Sequence, residues 1–322
     1  MRTLILGGTR FIGLHLVYEL LRRGHQVTIL NRGQTKADLP PEVERLYADR
    51  SDPASVKSAL AGRDFDAAFD ISAYIPAQLA PAVEALEGRV GHYVYISSIA
   101  VYEPTETFPI PETHPLMTEW GGQWPDYGWG KVECESYLRE RWRKRGFPFT
   151  AFRPVMVYGP DNHNSAPYWE LAHFARLRRG RPILIPSDGS RIMQFVHVDD
   201  LARAFASALQ TGASLGQAYN MAGPEAVTMA GYIRLLGRVA GVEPEIIFVD
   251  FANDEGVPSS FPFIWRRSAI YNIEKARKDL GFDPRPMIDG LEETYRWYLA
   301  QDLDDYPWDF SAEDALLGQI RS

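Results

Sequence analysis

A short apolar run from Thr3 to Leu6 is broken by Gly7 and Gly8, after which Phe11 to Arg23 repeats apolar positions at helical spacing. The pattern predicts strand, glycine turn, helix. Further runs at Gln26 to Leu30, Glu44 to Ala48, Asp66 to Ile71 and His92 to Ile96 read as strands, with helical rhythm at Pro53 to Leu60 and Ala77 to Leu86 between them. Alternating strands and helices predict an α/β fold built on a Rossmann-type, doubly wound parallel sheet, with ligands at the carboxyl ends of the strands.

From Glu103 to Asp126 the periodicity is lost among five prolines and two tryptophans, so this stretch reads as a long loop, either a flap over substrate or a surface layer. A helix is predicted over Tyr127 to Arg145 and a strand over Phe149 to Arg153. Residues 1–160 form the expected dinucleotide-binding domain, with 195–222 returning to it through a helix from His197 and a strand at Ala218 to Met221. Residues 161–194 and 223–322 are assigned mainly to a smaller C-terminal substrate-binding lobe. That lobe carries predicted helices at Tyr168 to Arg179, Thr228 to Ala240, Ile273 to Leu280 and Met287 to Leu299, and a tail, Asp302 to Phe310, expected to cover a groove.

Composition narrows the class. Among 322 residues, 45% are hydrophobic and 24% charged, which is ordinary globular usage. The 34 basic against 42 acidic residues leave a net charge of −8, giving no general drive toward nucleic acid or anionic membranes. Cys134 stands alone, and no Cys/His cluster has metal spacing, so neither an internal disulfide nor a metal is expected. No signal-peptide pattern opens the chain and no apolar run approaches the roughly 20 residues a membrane span needs. The expectation is a cytoplasmic protein with no membrane partner.

The glycine turn carries the first chemistry. It lets backbone approach a pyrophosphate, while the N–H groups and positive dipole end of the helix face the anion. Gly7, Gly8, Thr9, Arg10, Phe11, Ile12 and Gly13 are therefore candidate cofactor contacts, an ordinary tight turn being the alternative. After the second strand, Asn31 and Arg32 stand where an NAD site usually puts a carboxylate for the ribose 2′-hydroxyl. Arg32 with Arg10 would flank a 2′-phosphate, which favours NADP over NAD unless both arginines are simply solvated. Asp49 and Arg50 lie where adenine would rest, and Ser72, Ala73 and Tyr74 where phosphates and ribose would pass. Ser97 and Pro154, at later strand ends, with Tyr127 and Lys131 from the helix between them, complete the expected cofactor set.

Tyr127 and Lys131 lie four residues apart, on one face of the predicted helix. A free phenol titrates near 10, so acid/base work at neutral pH needs a pKa lower by about three, which is ~4 kcal/mol of preference for the phenolate; a neighbouring ammonium supplies much of it. The Ser98 hydroxyl, arriving from the fifth strand, can hold the substrate oxygen, and the same ammonium can donate to the nicotinamide ribose. With these motifs, Arg153-Pro154, Tyr158-Gly159-Pro160 and Phe195-Val196-His197-Val198-Asp199-Asp200-Leu201-Ala202, the chain resembles the extended short-chain dehydrogenase/reductases, the NAD-dependent epimerase/dehydratase group, over nearly its whole length. The resemblance implies catalysis by Tyr127, Lys131 and Ser98. It also implies a small-molecule substrate, most simply a sugar or nucleotide sugar, and a homodimer packing the Ala77 to Leu86 and Tyr127 to Arg145 helices. Ser98, Trp124, His163 and Arg191 are the candidate substrate contacts.

The chain departs from the family pattern in three places. Arg10 replaces the middle glycine of the turn. Ile99-Ala100 stands where nucleotide-sugar 4,6-dehydratases place an Asp-Glu pair, which disfavours dehydration, and Met193-Gln194 replaces an Arg-Asp pair used on diphosphates. The Gly-Gly-Thr-Arg-Phe-Ile-Gly turn also resembles atypical members, including chloroplast stem-loop RNA-binding proteins. The alternative function is thus an NADP-binding scaffold that touches RNA, against which the retained Tyr127 and Lys131 and the acidic total charge both count.

Overall fold

The computed structural model describes residues 1–35, 37–119, 125–162, 169–250 and 267–321. In chain order the elements are β1 Arg2–Leu6, α1 Phe11–Arg22, β2 Gln26–Asn31, β3 Glu44–Tyr47, α2 Pro53–Leu60, β4 Ala67–Asp70, α3 Pro76–Leu86, β5 Tyr93–Ile96, α4 Pro125–Arg145, β6 Phe149–Pro154 and β7 Met156–Tyr158. There follow α5 Trp169–Arg178, β8 Ile183–Pro186, β9 Ile192–His197, α6 Val198–Ala208, β10 Gln217–Met221, β11 Ala226–Thr228, α7 Met229–Ala240, β12 Ile246–Val249, α8 Glu274–Leu280, α9 Met287–Ala300 and α10 Ser311–Arg321. No described helix is long and apolar enough to cross a membrane.

The chain divides into two compact units, the first made of Met1–Val155, Val198–Ala222 and Tyr271–Pro284. Its seven strands run in the order β10-β6-β5-β4-β1-β2-β3, every neighbouring pair parallel. This is the doubly wound arrangement, with strand order reversing between β1 and β4, and there the carboxyl ends open a crevice for a ligand. β4 and β5 are buried along their whole length, as strands covered on both faces must be. The remaining segments form the second unit, with a three-stranded sheet β11-β9-β7 and a two-stranded sheet β12-β8. Leu303 and Phe310 of the acidic tail are buried in this unit's own core. The buried Glu170 carboxylate accepts from Gly159 N and Asn162 Nδ2, both at 3.1 Å, and so holds the turn after β7.

Tyr271–Pro284 packs with the first unit, not with the segments around it in sequence. Tyr271 stacks on Tyr102 at 5.9 Å, and Lys275 sits 3.5 Å from the centre of the Tyr219 ring on β10. The described part of the aperiodic stretch doubles back on itself: Met117 N donates to Val101 O and Glu103 N to Pro115 O. Beneath it lies a buried polar cluster. Arg153 at the end of β6 reaches both Glu135 oxygens on α4, at 2.8 and 2.5 Å, and donates 2.8 Å to the Tyr102 hydroxyl, which in turn donates to Asn220 on β10.

Burial raises the Glu135 pKa, but the hydrogen bonds and charge of Arg153 outweigh it and hold the carboxyl below its ordinary value. Removing one partner strands the other charge. Glu135→Ala should therefore cost about 3–5 kcal/mol in urea unfolding, whereas Glu135→Leu combined with Arg153→Met should cost far less. Equal losses in the single and double variants would contradict a paired buried charge.

Candidate active site

The turn between β1 and α1 has the shape that close approach requires. Gly7 and Gly8 adopt φ of +127° and +94°, backbone that side chains rarely tolerate. A Cβ on Gly13 would lie 2.3 Å from Ile71 and 2.7 Å from Gly8 N, so helix and turn touch only because position 13 is glycine. Arg10 occupies the N-cap in extended conformation and no side chain caps the helix, leaving its first turn open to an anion. Phe11 has φ of +35°, backbone strain of a kind that collects at ligand sites. Ser72 Oγ donates 2.9 Å to Leu6 O and ties the loop after β4 to this turn.

On α4, Lys131 faces the sheet through a close contact that two glycines permit, while the Tyr127 ring is partly exposed. A Cβ on Gly128 would lie 2.6 Å from Ala100 O, and one on Gly130 2.4 Å from Tyr74 O. The helix is thus wedged between the loops that follow β4 and β5. Lys131 is 2% exposed, and its Nζ donates to the carbonyls of Ala73 at 2.8 Å and Ile96 at 2.7 Å. An ammonium has three donors, and among the described residues no third acceptor is present. The cation also lies 5.0, 4.9 and 5.8 Å from the ring centres of Tyr74, Tyr95 and Tyr127. Burial drags its pKa down to about 8, against partial restoration by Cys134 and Asp70 and a further lowering by Arg50.

Tyr127 and Ser98 share a side-chain hydrogen bond. Burial of the phenol outweighs that bond, which favours the phenolate, and holds the pKa above its ordinary value, the opposite of the lowering expected from a neighbouring ammonium. Ser98 Oγ also accepts from Ala100 N at 3.2 Å, which fixes the serine at the end of β5. Hydroxyl, phenol and ammonium therefore converge at the carboxyl ends of β4 and β5, beside the glycine turn. With its open helix terminus and spare ammonium donor, this edge suits a dinucleotide.

The other predicted residues fall into groups. Arg10 and Arg32 are exposed, and among the described residues neither guanidinium has a side-chain partner. Asn31 Oδ1 accepts from Gly33 N at 2.7 Å, and Asp49 Oδ1 from Ser51 N at 2.8 Å, so both carry local turns. Arg50 is committed within the protein, gripping Asp70 through both terminal nitrogens at 3.1 and 2.9 Å. Ser97 and Pro154 are buried at the ends of β5 and β6. Arg191 is exposed before β9 in the second unit. Trp124 and His163 lie outside the described residues. Sequence reasoning missed Asp70 and Gln78, whose signal, an acid closing an apolar strand and an amide in the next helix, acquires meaning only in three dimensions.

The strand order and glycine turn define a Rossmann-type dinucleotide-binding fold. A sequence model of the NAD dependent epimerase/dehydratase family matches residues 3–222, and the chain belongs to that family. It is similar to the chloroplast stem-loop binding protein of 41 kDa b from Arabidopsis thaliana, 33% identical over 99% of this chain and 84% of the relative. It is also similar to a dTDP-4-dehydro-6-deoxy-D-allose reductase from a Streptomyces species, 29% identical over 92% of this chain and 95% of that one. In fold it matches the UDP-glucose 4-epimerase of Thermotoga maritima, with a TM-score of 0.80 at 22% identity over 94% of this chain and 99% of the other.

The buried lysine has a consequence for stability in the cofactor-free protein. Below pH 8 the folded chain bears the full penalty of the buried charge. Between about 8 and the ordinary value of 10.5 the folded lysine is neutral while the unfolded one still binds its proton, so stability rises with pH. Relative to Lys131→Met, the native chain should gain about 3 kcal/mol between pH 7.5 and 10.5, measured by denaturant unfolding. A difference that stays flat with pH would show that Lys131 titrates normally.

Proposed function

We propose that the protein is an NADP(H)-linked oxidoreductase acting at a secondary alcohol or ketone of a sugar or nucleotide sugar. The observation that carries this reading is the convergence of Ser98, Tyr127 and Lys131 on one sheet edge. Nicotinamide supplies the hydride when bound. In the reducing direction Tyr127 gives its proton to the substrate oxygen, Ser98 donates a hydrogen bond to that oxygen, and the nearby ammonium stabilises the phenolate left behind. The ammonium's spare donor serves a ribose hydroxyl.

Between a reductase and an epimerase at the same carbon, net reduction is supported by the Streptomyces reductase relative. An epimerase would return the hydride to the same substrate and show no net change at the nicotinamide absorbance band. Dehydration is disfavoured, because Ile99 and Ala100 next to Ser98 cannot exchange protons. Arg10 and Arg32, unpaired among the described residues, with no carboxylate at the end of β2, favour a 2′-phosphate.

A second reading is favoured by the stem-loop binding relative: a dinucleotide-binding scaffold that contacts RNA. The net charge of −8 weighs against it. Phosphate-driven binding would fall steeply between low and moderate salt, so affinity for a stem-loop RNA at two salt concentrations separates the readings.

Two further outcomes are expected. Tyr127→Phe should lower kcat by about 10²- to 10⁴-fold across a panel of sugar ketones while leaving NADPH affinity unchanged; equal turnover by both proteins would remove the phenol from the chemistry. Arg32→Asp should weaken NADPH binding by roughly 10- to 100-fold and leave NADH binding unaffected or better, by calorimetric titration. Parallel losses for both dinucleotides would refute a 2′-phosphate contact.

A further inference from the structure

Asp70, the last residue of β4, is fully buried, and a carboxylate there persists only if every lone pair finds a partner. It has them. Beyond the two Arg50 nitrogens, it accepts from the Tyr93 hydroxyl at 2.7 Å and from the backbone N–H groups of Ser72 and Ala73 at 3.2 and 3.1 Å. The next N–H, that of Tyr74, donates 2.9 Å to Oε1 of Gln78, and the main-chain carbonyl of Gln78 accepts 2.9 Å from Arg50 Nη1. Three successive amide protons of one short loop are therefore held by a single assembly of Asp70, Arg50 and Gln78.

The assembly points at Lys131. The Tyr74 N–H and the Ala73 carbonyl belong to one planar peptide group, so whatever fixes the first fixes the direction of the second. That carbonyl accepts from Lys131 Nζ at 2.8 Å and from the Tyr95 hydroxyl at 3.2 Å. Because a Cβ at position 130 would already strike Tyr74 O, the loop cannot advance without moving the helix that carries the lysine.

We propose that Asp70 and Gln78, braced by Arg50, are positioning residues: they fix the Ala73 peptide so that the Lys131 ammonium is held where the cofactor ribose and Tyr127 can use it. The proposal deepens the function given above and rests on it for its consequence, but not for its geometry. Asp70 has no hydrogen bond to Lys131 itself: it acts on the ammonium through the loop and, at a distance, through its charge, whereas Gln78 is an uncharged amide and acts through the loop alone.

The test uses the full chain with Asp70→Asn, Gln78→Leu and the acceptor-restoring Gln78→Glu. Each is examined alone and, for the first two, with Lys131→Met. The first readout needs no ligand: the rate at which an amine-acetylating reagent modifies Lys131, followed by peptide mass spectrometry beside the exposed Lys57 and Lys144. Asp70→Asn and Gln78→Leu should speed modification of Lys131 and leave the other two lysines unchanged, and Gln78→Glu should restore protection. The second readout is NADPH affinity by calorimetry. Each of the two disruptive changes should weaken it by about tenfold in the native background, the scale of one charge-assisted hydrogen bond, and have no further effect once Lys131 is methionine.

Unchanged protection of Lys131 in both disruptive variants would overturn the proposal, as would losses of affinity that simply add to that of Lys131→Met. Loss of protection at all three lysines together would also overturn it, since that is the mark of general loosening. If Lys131 alone becomes reactive but the native chain binds no dinucleotide, the positioning role stands and the oxidoreductase reading fails.

Discussion

The organisation of the candidate site follows from keeping one ammonium charged where water cannot reach it. Lys131 is stripped of solvent by β5, the loop after β4 and three tyrosine rings, and burial disfavours its charged form. Burial lowers its pKa to about 8, with Cys134, Asp70 and Glu135 acting the other way, and two carbonyls accept from its Nζ. The surrounding architecture serves this balance. The sheet brings the Ala73 and Ile96 carbonyls to adjacent strand ends, and Gly128 and Gly130 let the helix come close enough to use them.

Much of the first unit was legible in the sequence. The alternation of apolar runs gave strands and helices within a residue or two of those observed, because the strands of a doubly wound sheet, the exposed edge strand β3 excepted, are buried in their own right and mark themselves locally. The glycine turn and the Tyr127 and Lys131 spacing were legible for the same reason: four residues on one helix, or seven in one turn, encode their own geometry. The spatial order of the strands came from the general rule for such alternation and from family resemblance, not from any single residue.

The partnerships that cross the sheet were hidden. Arg50 reads as a surface cation near adenine, and only the pairing of β4 beside β1 brings Asp70 within reach of it. Arg153 reads as part of a family motif, yet its energetic role depends on Glu135, 18 residues earlier on α4. The glycines flanking Trp129 look like weak points in a helix until the backbone carbonyls opposite them are known. The packing of Tyr271–Pro284 against β10 joins segments about fifty residues apart, a separation no periodicity can encode.

Those glycines also bear on how the molecule is made. Each lowers helix propensity by roughly 1 kcal/mol relative to alanine, and both fall in the opening turns of α4. As the chain leaves the ribosome, the stretch bearing the phenol and the ammonium has little reason to coil by itself. It gains its shape when strands on either side of it in sequence have paired, and β10, which completes that sheet, is synthesised some ninety residues after Tyr127. The surroundings of Tyr127 and Lys131 are thus completed by segments made after them, and a nascent chain that ended before β10 would lack the strand that closes the sheet on that side.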